Sequence, residues 1–125
     1  MTDIKQLAEQ LKKSTAKLQE HEAELNTLSK NRSKLLTQLN ENQMVSKEFD
    51  LIDENASIYK LNGPVLFKKT KDEAVSNING RLEIINNNLK QIDAKYKDVE
   101  KLSVDERSKV VDLQQKIQAL QQKQQ

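Results

Sequence analysis

The sequence predicts a mainly α protein in which two long helices fold back as an antiparallel coiled coil and one β-hairpin joins them. Three observations carry this. The only proline, Pro64, sits mid-chain beside Gly63, one of two glycines, so turn chemistry is concentrated in one place. On either side, apolar residues recur in heptads. Aromatic residues make up 3% of the chain and charged ones 32%, with no tryptophan, which suits long helices better than a globular core. The 125 residues are read as a single domain, with helix 1 over 1–52, the hairpin over 57–69 and helix 2 over 72–122.

The first arm holds an unbroken heptad register from Ile4 to Phe49. Its a positions are Ile4, Leu11, Leu18, Leu25, Arg32, Leu39 and Ser46; its d positions are Leu7, Ser14, His21, Leu28, Leu35, Asn42 and Phe49. Nine of these fourteen are apolar. Such a helix would be roughly 70 Å long at 1.5 Å per residue. Arg32 and Asn42, both on the seam, are expected to fix register or partner orientation. His21 is the only histidine and lies among Glu20, Glu22 and Glu24, which read as a solvated face. It is taken as a water-tolerant seam residue, not as a metal ligand or catalytic base.

Ser57 to Lys69 reads as the hairpin. Ile58 to Leu61 and Val65 to Phe67 are short β-prone runs, with Asn62-Gly63 as the turn dipeptide between them. Pro64 has no N–H to donate, so it suits the start of the second strand or an exposed edge. Ile58, Tyr59, Leu61, Val65, Leu66 and Phe67 put apolar side chains on both faces of the ribbon. Two strands alone are marginal in water, and their free edges invite pairing. No other segment offers a third strand, so these six residues are the expected assembly element, completed by other subunits. Lys68, Lys69 and Lys71 read as a solvated basic cluster that discourages unwanted pairing.

The second arm opens with Asp72 and Glu73, acids that a helix N-terminus favours. Its seam runs Val75, Ile78, Leu82, Ile85, Leu89, Ile92, Tyr96, Val99, Ser103, Glu106, Val110, Leu113, Ile117 and Leu120, twelve of fourteen apolar. Gly80 falls on the outward side and costs about 1 kcal/mol against Ala. Gln121 to Gln125 is a polar end expected to fray. Arms of nearly equal length joined by a hairpin should run antiparallel, with Ile4 opposite Leu120, Leu7 opposite Ile117, Leu11 opposite Leu113, Leu39 opposite Ile85 and Phe49 opposite Val75. Each pair of numbers adds to 124. In this register Leu18 faces Glu106, His21 faces Ser103 and Ser14 faces Val110, so polar residues of both arms coincide in a soft zone. Beyond it, Ile4, Leu7, Leu11, Leu113, Ile117 and Leu120 form aliphatic arm ends. They either splay to offer apolar surface or close a stable coil; both readings stand.

Several chemistries find no support. There is no cysteine, hence no disulfide, thiolate zinc site or cysteine nucleophile. No Gly-rich phosphate loop, dinucleotide fingerprint or Gly-x-Ser-x-Gly elbow occurs. No catalytic residue, cofactor or metal ligand is assigned, and an enzyme is not expected. A net charge of +2 gives no strong pull toward nucleic acid or an anionic membrane. The N-terminus lacks the apolar core of a signal peptide, and no window resembles a membrane span, so a cytoplasmic protein is the expectation. A structural or tethering coiled coil remains the alternative; it accounts for the heptads and leaves the hairpin without purpose. A nucleic-acid-binding coil is disfavoured by acids interspersed with the lysines.

Glu48-Phe-Asp-Leu-Ile-Asp-Glu54, Ile58-Tyr-Lys-Leu-Asn-Gly-Pro-Val-Leu66, Glu73-Ala74 and Arg81-Leu-Glu-Ile-Ile85 together resemble the β-class prefoldin subunits. These motifs cover residues 48–85; the remainder matches in architecture and length. The resemblance implies a hetero-hexamer of two α-class and four β-class subunits, whose hairpins build a β-barrel from which coiled coils hang. It implies an ATP-independent holdase that captures unfolded or nascent cytosolic proteins such as actin and tubulin and delivers them to the group II chaperonin. On that reading the six aliphatic arm-end residues are client-binding. A single hairpin between the arms fits the β class.

Overall fold

The structure, a computed structural model, describes residues 2–123. Helix α1 spans Thr2–Asp50, strand β1 Ile58–Asn62, strand β2 Val65–Lys69 and helix α2 Lys71–Lys123. Gln121 to Lys123 belong to α2, and Gln124 and Gln125 lie outside the described residues.

Burial follows the heptads. Every expected seam residue of α1 is at least partly buried except Arg32, which is exposed; all fourteen in α2 are covered. Position on the seam therefore sets burial for polar as well as apolar side chains, with Arg32 the exception. Ser103 and Glu106 are 3% and 7% exposed, in the company of Ile78 at 4%. Of the layers expected to be softest, the α2 residues Ser103 and Glu106 are buried, while Ser14, Leu18, His21 and Val110 are half-buried.

The chain forms two compact units, one from residues up to Lys30 with those from Ile92 onward, the other Asn31–Gln91. In the first unit, ion pairs report how the helices face each other. Arg107 Nη2 donates to Glu22 Oε1 at 3.3 Å, and Lys95 Nζ lies 3.5 Å from Glu24 Oε1. Numbers rise along α1 as they fall along α2, so the helices are antiparallel. The pairs add to 129 and 119, centred on the 124 of the seam, as flanking e and g residues should. Both pairs are exposed and worth at most about 1 kcal/mol each. They mark register more than they supply stability.

Polar side chains within α1 turn back on their own backbone. Thr15 Oγ1 donates to the Leu11 carbonyl at 2.8 Å, and Asn42 Nδ2 donates to that of Gln38 at 2.7 Å. Asn42, expected to act across the seam, is satisfied by its own helix.

In the second unit, β1 and β2 pair antiparallel from Ile58↔Lys69 to Asn62↔Val65. The turn is Gly63-Pro64, not the expected Asn62-Gly63, and Asn62 is the last rung of the ladder. Gly63 has φ of 61°, and no other described residue has a positive φ. An Asn62-Gly63 turn would need the N–H of the next residue to close it onto the Leu61 carbonyl, and Pro64 has no N–H to give. Gly63 followed by Pro64 fits the type II′ pattern, and the missing N–H of Pro64 falls where no ladder bond is needed.

Both hairpin roots are fixed locally. Past α1, Asp53 accepts from the Ala56 N–H at 2.9 Å through its carbonyl and from the Asn55 N–H at 3.4 Å through Oδ1. Helix α2 opens with a reciprocal cap: Glu73 N–H donates to Thr70 Oγ1 at 3.2 Å, and Thr70 N–H donates to Glu73 Oε2 at 3.3 Å. Lys71 Nζ donates to the Ile52 carbonyl at 2.9 Å, linking the two roots.

The register is directly testable, since no native cysteine interferes. Leu25→Cys with Val99→Cys should form a disulfide under mild oxidation. The one-heptad slips, Leu25→Cys with Ile92→Cys or Glu106→Cys, should not, because about 10 Å of axial offset exceeds disulfide reach. Equal crosslinking of a slipped pair would contradict the register.

Candidate functional site

Strand alternation sorts the hairpin side chains. Tyr59, Leu61, Leu66 and Lys68 share one face; Ile58, Lys60, Asn62, Val65, Phe67 and Lys69 share the other. All six expected assembly residues lie on this ribbon, and only Ile58 is partly buried. Leu61 is 69% exposed, Leu66 61% and Tyr59 56%, with Val65 and Phe67 also open. Among the described residues the sheet has these two strands alone, so each strand keeps one unpaired edge. Leu51, just before the hairpin, is 87% exposed and adds to the apolar surface. Periodicity does not mark it, because it lies beyond the last seam position. Its signal is an aliphatic residue left over where the heptads end.

A cavity of about 150 Å³ opens at the hairpin root. Val45, Phe49, Ala74 and Ile78 from the helices meet Ile58, Tyr59 and Lys60 of β1 there, and Lys69 and Arg81 add positive charge. The volume suits one apolar side chain, well short of the 300 Å³ and more of ordinary small-molecule sites. Sequence periodicity assigns Phe49 and Ile78 to the seam, does not mark the buried Ala74, and gives no sign of the hollow between them and the ribbon.

The arm-end residues Ile4, Leu7, Leu11, Leu113, Ile117 and Leu120 all lie partly buried along the seam, none of them fully. A hollow of about 390 Å³ opens beside Ser14 and Leu113. Nearby, the buried Glu106 carboxylate has Lys109 Nζ at 3.9 Å, one turn on in the same helix and itself largely exposed. No described side-chain nitrogen or oxygen is sealed away without a partner. Among the described residues no group of three or more acids and histidines is placed to hold a metal, and His21 sits partly buried on the seam. No described helix is long and apolar enough to cross a membrane.

Covering a carboxylate costs solvation that an exposed lysine at the limit of ion-pair distance returns only in part. Glu106→Leu, opposite Leu18, should therefore stabilise the arm by roughly 1 kcal/mol. Thermal unfolding should shift upward, and amide exchange over residues 100–110 should slow. A lower midpoint would mean that the carboxylate is well solvated where it lies.

The chain has clear relatives. The prefoldin-subunit family profile matches residues 12–125. Probable prefoldin subunit 6 of Dictyostelium discoideum is 61% identical over 83 residues, covering 66% of this chain and 59% of that protein. Prefoldin subunit 6 of Saccharomyces cerevisiae is 44% identical over 70 residues, 56% of this chain and 61% of the relative. Prefoldin subunit 6 of Homo sapiens is 34% identical over 79 residues, 63% and 61% of the respective chains. The matched stretches thus span 59% to 61% of the length of these relatives. The crystal structure of the prefoldin β subunit from Thermococcus strain KS-1 superposes with a TM-score of 0.69 at 22% identity, covering 89% of this chain and 91% of that one. At that identity the likeness is one of fold.

Proposed function

The chain belongs to the prefoldin-subunit family, and we propose that it serves as one β-class subunit of a hetero-hexameric, ATP-independent holdase in the cytoplasm. In this reading two α-class and four β-class subunits join through their hairpins into a β-barrel. The assembly captures unfolded or nascent proteins such as actin and tubulin and passes them to the group II chaperonin. One observation carries the proposal. The seam covers its own apolar residues, whereas the hairpin leaves five of its six exposed on two faces with both edges unpaired. A free-standing tether would have no use for such a ribbon.

Client capture falls to Ile4, Leu7, Leu11, Leu113, Ile117 and Leu120. An unfolded chain exposes apolar segments of many sequences, so its holder needs adaptable aliphatic surface in place of a shaped pocket. The hollow beside Ser14 and Leu113 supports this role. Each aliphatic side chain contributes up to about 1.5–3 kcal/mol on burial, offset in part by ordering the client. One arm therefore binds weakly, and several arms on one platform gain through effective concentration.

Two variants separate assembly from capture. Leu61→Lys with Val65→Lys should keep helicity by circular dichroism and fail to enter the complex. Leu7→Ser, Leu11→Ser, Leu113→Ser and Ile117→Ser together should assemble normally and suppress client aggregation several-fold less well. Normal entry of the first, or full protection by the second, would overturn the corresponding half of the proposal.

A further inference from the structure

The ribbon carries a charge pattern that its apolar residues do not explain. From Ile58 to Lys69 there are three lysines, Lys60, Lys68 and Lys69, and no acid. None of the three forms an ion pair with a described residue. The nearest acids in sequence lie beyond the strands: Asp53 and Glu54 before them, Asp72 and Glu73 after. Glu73 is engaged in the Thr70 cap and Asp53 in its own turn. Glu54 and Glu73 border a hollow with Lys68 and Lys69 without pairing to them. Positive charge is also spread over both faces, since Lys68 shares one with Leu61 while Lys60 and Lys69 share the other with Phe67. Arg81 adds a fourth cation at the cavity under β1.

We infer that the hairpin selects an acidic strand of a different polypeptide and rejects a second copy of itself. The inference rests on the hairpin being the assembly element. Like charges brought opposite each other across strands destabilise the pairing, and lysine on a strand edge is a common guard against self-association. Two copies joined through their β1 edges would bring Lys60 of each into a closing, increasingly dehydrated contact, with Lys68 and Lys69 of each adding like charge from the next strand. A partner strand alternating apolar and acidic residues instead meets Lys60, Lys69 and Arg81 with carboxylates. Three consecutive β1 residues line the root cavity against only Lys69 from β2. The incoming strand therefore adds to the β1 edge with one apolar side chain in the cavity, and backbone pairing supplies the rest. Burial of apolar area provides the affinity, and the lysines decide whose strand receives it.

Sedimentation of the full chain in low salt tests this, with Lys60, Lys68 and Lys69 changed together to Glu, Gln or Arg and helicity checked for each. The parent and the Glu form should each resist self-association alone and combine when mixed, at least about tenfold more tightly, with the gain lost in about 1 M salt. The Gln form should self-associate in low salt, and the Arg form should behave as the parent. Self-association of the parent in low salt as strong as that of the Gln form would overturn the inference, as would mixing with no gain. Adding Leu61→Lys and Val65→Lys to the Glu form distinguishes the two levels. If the mixed complex persists with those changes, the hairpin is not the assembly element and the underlying reading fails. If they abolish association while the charge changes have no effect, only the charge selection fails.

Discussion

Two β-strands cannot satisfy each other. Each strand of the ribbon pairs along one edge and leaves its other row of N–H and C=O groups open, and water alone holds a two-stranded ribbon poorly. Here the difficulty is greater, because Tyr59, Leu61 and Leu66 crowd one face while Val65 and Phe67 occupy the other. A ribbon with one apolar face could lie down on its own helices. This one can bury at most one face that way, and the helices reach only its root, where Ile58 meets Phe49, Ala74 and Ile78 around a small cavity. The molecule is stable along its arms and incomplete at its hairpin.

The arms follow a different rule. The heptad seam covers polar as well as apolar residues, Arg32 excepted, so Ser103 and Glu106 are buried about as deeply as Val99. Coverage and energy separate at such layers: a serine or carboxylate on the seam is shielded but contributes little apolar burial. The arms tolerate this because stability is spread over many layers. The hairpin has no such reserve. Its roots are set by short-range bonds, the Thr70–Glu73 cap and the Lys71–Ile52 link, which fix where the ribbon leaves the helices and leave its faces free.

Helix type, seam residues and the antiparallel register were legible because each rests on a long repeat, in which many residues agree on one answer. The ion pairs of Glu22 and Glu24 bracket the register read from seam aliphatics alone. The turn departs from the strong Asn62-Gly63 dipeptide pattern because Pro64, the residue after it, lacks the N–H that would close such a turn onto Leu61, and the turn moves one residue on to Gly63-Pro64. The Thr70-x-x-Glu73 cap is available as a four-residue signature and is easily passed over because Glu73 is already accounted for, with Asp72, as an acid of the first turn. Leu51, the root cavity and Asn42's bond to its own helix depend on how elements meet or on local rotamers. No spacing in the sequence encodes them. Of the candidate site, the six hairpin residues could be named from chemistry alone, since apolar side chains on both faces of an isolated ribbon have few explanations.

The central claim is that the hairpin is open in the single chain and closed by other subunits, and amide hydrogen exchange measures this at the groups concerned. In the isolated chain, outward-facing amides of β1 and β2 should exchange quickly while seam amides such as those near Leu28 and Ile85 are protected. In the assembled complex the hairpin amides should slow by orders of magnitude, with the seam little changed. Hairpin amides already protected in the isolated chain, or still fast in the complex, would contradict the account.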